Sequence, residues 1–291
     1  MTSQDESGKR GFPAAMRKRK FGGWLLFIML VIVGVVQFFP FWYLFVFSFK
    51  SNADIYGGNI VGLPSSWMWS NYRDALLGAK AFLFLGNSLF VSTITIVVSL
   101  MLAAMASFGI MRLKWRLSKF VLGFFLLGLM IPAHSTLLPL FLLLNKAKLL
   151  DSYLALILPY IAFALPMAIL VLTAFLESVP KELEEAAYME GAGVFRVFFS
   201  VVSPLMAPGL ASAGILTFLT CYNELMFAVT FISNDAIKTL PVGILSLFGR
   251  YATNWGTIGA SLMIASIPTI IVYLLFSNKI QKGLMDGALK G

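Results

Sequence analysis

The stretch GGWLLFIMLVIVGVVQFFPFWYLFVF, residues 22–47, carries no charged side chain. Crossing the hydrocarbon core of a bilayer takes about 20 apolar residues of helix. Five more runs of this kind follow, at 82–109, 119–144, 153–176, 205–232 and 258–278. Their apolar residues are continuous, neither alternating nor confined to one helical face, which is the pattern of several transmembrane helices. The run 22–47 is too long for a signal-peptide core and lacks a small-residue cleavage site, so it reads as a retained first span. The expected fold is all-α and polytopic. It has a tail at 1–21, a six-span membrane domain over 22–278, and a second tail at 279–291.

Composition agrees. Of 291 residues 59% are hydrophobic and 12% charged, whereas a soluble domain carries about 25% charge. A lone cysteine, Cys221, rules out an internal disulfide and reads as a packing residue in an apolar run. One histidine, His134, rules out a multi-histidine metal site. The formal charge is +9, but the basic residues sit in short segments between spans. A nucleic-acid binder would gather them on a folded polar surface, so no nucleic-acid partner is expected.

The same basic residues orient the chain. With the N-terminus inside, the segments 1–21, 110–119, 178–203 and 279–291 hold 15 of the 22 Lys and Arg. This excess places both termini in the cytoplasm. The outer loop 48–80 contains Gly57, Gly58, Pro64, Trp67, Trp69 and Tyr72, a turn-rich segment with aromatics suited to the membrane surface. The outer segment 233–257 is long enough for a short helix over the mouth of a bundle.

One inner segment stands apart. Within KELEEAAYMEGAG, residues Glu182, Glu184, Glu185 and Glu190 place four of the thirteen carboxylates in nine positions. Pro180 can start a helix, and the early glutamates then interact with its dipole. Ala186, Ala187, Gly191, Ala192 and Gly193 leave the following surface bare, and residues from Val194 turn apolar. A helix, a glycine turn and a second helix are expected over 178–203. The segment reads either as a capped surface loop or as a docking knob whose small face seats in a groove on a cytoplasmic partner.

The residue order resembles the EAA loop of ATP-binding-cassette importer permeases. That pattern is E-A-A, three residues, G, nine residues, I-x-L-P. Glu185, Ala186, Ala187, Gly191, Val201 and Pro204 fall at this spacing, with Val201 for Ile and Ser203 for Leu. FLESVPKELEEAAYMEGA, NSL at 87–89, YNELMF at 222–227 and the ending GLMDGALKG are similar to the maltose-type carbohydrate permeases. The resemblance implies a subunit of an ATP-driven sugar importer in a bacterial inner membrane. It implies a heterodimer with a second permease, two ATPase subunits below, and an extracytoplasmic solute-binding protein above. It also implies that the tail reaches the ATPase, with Lys290 supplying a charge there.

No G-x-x-x-x-G-K-[ST] occurs, so this chain encodes no phosphate-cradling loop. ATP and magnesium are expected on the partner ATPase, with no cofactor on this chain. H-E-x-x-H and G-x-S-x-G are also missing. His134 and Ser135 are neighbours, but successive helical residues point about 100° apart, so an enzyme is not expected.

Glu224 is the one carboxylate well inside a run, and such groups face a bundle interior or a water cavity. Either it lines a substrate path with Asn87, Tyr222 and Asn223, or the group packs together and satisfies a helix break. His134 and Ser135, between Pro132 and Pro139, are expected to satisfy carbonyls that the prolines free. No Lys or Arg lies well within a run, so the chain offers an acidic sugar no buried cation. The partner permease, or the outer residues Arg73, Lys80, Lys238 and Arg250, could offer one. A neutral oligosaccharide is therefore favoured over a uronate. A secondary carrier or channel without an ATPase is the rival class. It would need a buried coupling-ion site, for which one carboxylate and one histidine supply little.

Overall fold

The computed structural model describes residues 14–113, 115–249 and 253–288, with side chains for 23–113, 115–249 and 253–276. Arg250, Lys290 and residues 1–13 lie outside the described residues.

The chain opens with α1 (Ala14–Phe47), followed by the short α2 (Asn52–Tyr56) and α3 (Ser70–Arg73). The long helix α4 (Ala81–Arg112) comes next, then α5 (Ser118–Leu127), α6 (Leu137–Lys146) and α7 (Leu154–Glu177). The acidic segment forms α8 (Glu182–Met189) and α9 (Val194–Val197). It continues through α10 (Ser203–Leu205) into α11 (Ala207–Tyr222) and α12 (Met226–Phe231). The chain then runs through α13 (Leu240–Leu245) to α14 (Trp255–Ala288). No strand occurs among the described residues.

Four helices are each long and apolar enough to cross a membrane: Gly23–Phe47, Ala81–Arg112, Leu154–Glu177 and Trp255–Phe276. The other two expected spans are bent. Ser118–Met130 meets Ala133–Lys146 at 89°, and Val194–Leu205 meets Ala207–Tyr222 at 73°. Both bends have a proline cause. Ile131 adopts an extended backbone (ψ 116°) because Pro132 excludes the helical region for the residue before it. Pro204 and Pro208 flank the second bend, and each removes a backbone donor from the helix ladder. The expected run 205–232 is thus a helix that ends at Tyr222, a break, and the short α12. At the other end, the polar segment after 278 is not a loose tail throughout, since α14 stays helical to Ala288.

Helices α4 and α7 form the centre. Along α4, Ser88, Ser92, Thr95, Ser99, Ala103 and Ser107 are all buried, and their spacing of three or four puts them on one face. Small side chains let helix backbones approach closely in a membrane, where van der Waals packing drives association. One apolar cluster joins Ala103 and Phe108 of α4 to Ile169, Leu172 and Leu176 of α7 and to Val197, Val202 and Met206. A second joins Val91, Leu144, Leu156 and Tyr160 to Phe227 and Phe231. Thus the first cluster anchors the acidic segment, and the second anchors the break between α11 and α12.

The loop 48–80 holds a buried cation that hydropathy does not reveal. Lys50 is fully buried, and its Nζ donates to the carbonyls of Asn59 (2.7 Å) and Ile60 (2.6 Å). Burial pushes its ammonium below the usual lysine range, against the opposing pull of Asp54.

Candidate functional site

Two places gather the residues singled out from the sequence. The first is the acidic segment. Helix α8 ends where Gly191 takes a left-handed backbone, φ +81°. The amides of Glu190, Gly191 and Ala192 donate to the carbonyls of Ala186, Tyr188 and Ala187 at 3.0–3.1 Å. This closes the last turn as glycine-ended helices do. A side chain added at Gly191 would meet nothing within 4 Å inside the chain, so that face opens outward. Ala186 and Gly193 are exposed, and Ala187 and Ala192 half-buried. Around them Met189 (85% exposed) and Phe195 (72%) stand clear of the protein. From Val197 the chain turns inward. Phe198 packs against Phe108 of α4 with ring centroids 5.3 Å apart. Val202 is buried, Val201 is half-buried and Pro204 exposed. The projection is therefore a rigid helix–turn–helix fixed at its base.

The four carboxylates do not act alike. Glu182, Glu185 and Glu190 are exposed. Glu184 turns inward, where its Oε1 lies 2.8 Å from Nε of Arg112 at the end of α4. Both side chains are almost fully buried. Burial pushes the Glu184 carboxyl above its ordinary value, while the Arg112 guanidinium pulls it back down. Arg112 also donates from Nη2 to the carbonyls of Leu176 (2.9 Å) and Val179 (2.7 Å). Glu184 is thus the one of these four carboxylates that faces the protein interior. Sequence reasoning missed Arg112, because its partner lies 72 positions away and nothing local marks the pair.

The second place is a cavity of about 470 Å³ between α7, α11 and the 3₁₀ turn before α6. Its lining includes His134, Tyr160, Phe163, Asn223, Glu224 and Phe227. Glu224 sits in the break after α11. Its carboxylate accepts the amides of Phe227 (2.9 Å) and Ala228 (3.1 Å), capping α12. It also accepts the Tyr160 hydroxyl at 2.6 Å. His134 Nε2 lies 3.8 Å from the same carboxylate, and its ring stacks on Phe227 at 5.6 Å. The histidine thus turns toward the cavity carboxylate instead of the proline-freed carbonyls. Asn223 is exposed, with its amide donating to Leu219.

Asn87 and Tyr222 are not brought to this cavity. Asn87 donates to the carbonyls of Ala236 (3.0 Å) and Lys238 (2.9 Å) and accepts the Tyr153 hydroxyl (2.8 Å). With those groups engaged, it ties α4 to the segment before α13. Tyr222 points away from Asn223, and its hydroxyl donates to the Ala265 carbonyl of α14 at 3.0 Å. Its ring stacks on Phe218 in a separate apolar cluster. Adjacent residues at a helix end face different sides, which the local sequence did not separate. Among the described residues no cluster of His, Cys, Asp and Glu suits a metal ion.

Known proteins share this architecture. In fold, the chain resembles a bacterial ABC transporter chain solved for its role in importing the acidic polysaccharide alginate. The TM-score is 0.76 at 20% identity, over 93% of this chain and 99% of the other. In sequence it is 37% identical to the trehalose transport system permease protein of Mycobacterium tuberculosis, covering 87% of this chain and 92% of that protein. It is 35% identical to the sulfoquinovosyl glycerol transport system permease protein of Agrobacterium fabrum, covering 92% and 94%. It is 32% identical to the trehalose/maltose transport system permease protein of Thermococcus litoralis, covering 95% and 100%. Residues 95–286 match the family described as the binding-protein-dependent transport system inner membrane component. That match takes in both the acidic projection and the cavity break, and the chain is a member of this family of membrane-embedded ABC importer permeases.

Proposed function

We propose that this permease carries a neutral sugar or oligosaccharide, in a heterodimer with a second permease subunit. The observation that carries this reading is the composition of the cavity. Glu224 and Asn223 offer planar hydrogen-bonding groups, Tyr160 and His134 add ring-borne polar atoms, and Phe163 and Phe227 offer aromatic faces. Sugar hydroxyls need such donors and acceptors, while sugar C–H surfaces stack on rings. No Lys or Arg lines the cavity, so an anionic sugar finds no Lys or Arg counter-charge there. The named substrates of the relatives include trehalose and maltose.

The energy enters from outside the chain. With no phosphate-binding loop in its sequence, ATP and magnesium belong to two ATPase subunits, and an extracytoplasmic solute-binding protein delivers the substrate. The docking surface for the ATPases is the outward part of 182–193, led by the exposed Glu182, Glu185, Ala186 and Gly191, with the half-buried Ala187 and Ala192 at its base. Val201 and Pro204 fix the path from that surface to α11. The distribution of Lys and Arg supports a cytoplasmic position for this face and both termini.

Two experiments test these points. In cells expressing the whole complex, trehalose and maltose should be taken up in an ATP-dependent manner, and a uronate disaccharide should not. Uptake of the uronate alone would reverse the substrate assignment. For orientation, a cysteine at Tyr56 should react with a membrane-impermeant thiol reagent added to intact cells, and one at Met189 should not. Reaction at position 189 would put the projection on the wrong side for an ATPase.

A further inference from the structure

The buried pair Arg112–Glu184 lies outside both the docking surface and the cavity, yet it joins three elements. Arg112 ends α4, Glu184 sits in the first turn of α8, and Leu176 and Val179 close α7. Two charges this well buried are costly to desolvate, and such a pair is weak evidence for stability alone. Arg112 meets Glu184 with an ion-pair contact from Nε and adds two hydrogen bonds from Nη2 to the Leu176 and Val179 carbonyls, a spread of contacts that a planar guanidinium reaches more readily than lysine's single ammonium. The carbonyls it meets come from the end of a long helix, where a cation is favoured by the dipole.

The position of the pair points to a role. Helix α8 is joined covalently to α7 through residues 178–181 and to α9 through Gly191, and its Ala187 packs against the core cluster of α4 and α7. Glu184, the buried residue of α8, adds a polar link that reaches Arg112 at the end of α4. Helix α4 runs from Arg112 past the core to Asn87, which ties it to the segment before α13 at Ala236 and Lys238. Any push on α8 that reaches Arg112 therefore acts directly on a helix that spans the fold.

We infer that Arg112 is a positioning residue that passes movement of the α8 projection to α4 and α7, a role separate from docking of the ATPases. This rests on the transport reading above. In that reading Glu185 and the small face receive the ATPase, while Glu184, one residue away but turned inward, links the moving element to the spans.

The test must separate transmission from stability and from docking. The double variant Arg112→Gln/Glu184→Gln leaves no unpaired buried charge, and the two amides can hydrogen-bond to each other and to the α7 carbonyls. It is built with Thr220→Cys, which places a thiol on the cavity wall, and with Cys221→Ala to remove the buried native thiol. Thiol labelling at position 220 is measured in the purified complex of permeases and ATPases, with and without a non-hydrolysable ATP analogue. With Arg112 and Glu184 intact, the analogue should change the labelling rate by about tenfold or more, the factor that one hydrogen bond to a charged group carries. In the double variant the ATPases should still co-purify, and the rate should be the same with and without the analogue. A nucleotide response of native size in the double variant overturns the inference. So does loss of the ATPases from it, which would place the pair in docking. If the complex with the native pair shows neither ATPase binding nor a nucleotide response, the transport reading fails and this inference fails with it.

Discussion

In Gly191→Asp the permease should still assemble in the membrane, but ATPase subunits should no longer co-purify with it and ATP-driven uptake should be lost. The reason lies in what surrounds position 191. Its backbone is left-handed, a region where glycine is at no disadvantage. Aspartate is among the few residues that visit it with modest cost, because its short side chain can bond locally. The chain itself also has room, since nothing lies within 4 Å of an added Cβ. A large effect must therefore come from a partner pressed against that face. Overpacking a close contact costs about 1–3 kcal/mol, which is roughly a 5- to 150-fold loss in a docking equilibrium. The added carboxylate joins the exposed Glu182, Glu185 and Glu190 and pushes toward the larger value. The check is co-purification alongside substrate-stimulated ATP hydrolysis. Full ATPase retention with wild-type uptake would reduce the projection to a capped surface loop.

The spans were legible because burial in a bilayer imposes one simple demand, a long run without charge. Four of the six runs are single long helices. The bends in the other two were not read, although Pro132, Pro204 and Pro208 stand at them. A hydropathy run does not distinguish a proline that a membrane helix absorbs, such as Pro159 or Pro166 within α7, from one that breaks it. What differs is the packing around each, and that is a tertiary property.

The sites show the same division. The turn at Gly191 follows from local order, small residues and a glycine after an amphipathic stretch. The inward turn of Glu184 does not, because its partner Arg112 comes from another helix. Lys50 is similar: an apparently ordinary loop cation, it is fully buried under carbonyls contributed nine and ten residues later. At 222–224 the sequence placed three residues together, and the helix end then sent Tyr222 toward α14 and Asn223 and Glu224 toward the cavity. The two readings of Glu224, helix-break cap and cavity carboxylate, describe one residue that occupies both positions. The matched family leaves the self-sufficient carrier without support, and it gives the His134–Glu224 proximity a setting in a permease cavity instead of an ion-coupling site.

That dual position makes the choice of substitution at Glu224 decisive. Glu224→Gln keeps one carbonyl oxygen, which in the Oε2 position still accepts the Ala228 amide and the Tyr160 hydroxyl, and it gives up only the acceptor of the Phe227 amide. The break and α12 should hold, so the complex should assemble at normal yield. What is lost is the charge, and with it the strong hydrogen bonds that an ionised acceptor offers a hydroxyl, about twice as strong as neutral ones. If sugar hydroxyls use that carboxylate in transit, uptake per assembled complex should fall by about tenfold or more, since a hydrogen bond to a charged group carries about 1.5–3 kcal/mol. Glu224→Ala should behave differently. It removes the cap, at a cost of about 0.5–2 kcal/mol, and strands the buried Tyr160 hydroxyl without an acceptor, which costs about 1–3 kcal/mol more. Its first symptom should be a lower yield of assembled complex and a lower melting temperature. Measuring uptake and yield for both variants separates the two roles. Normal uptake in Glu224→Gln would leave the residue a cap and nothing else. Failure of Glu224→Gln to assemble would mean that the charge itself holds the break together, through Tyr160 and the two α12 amides, before any substrate arrives.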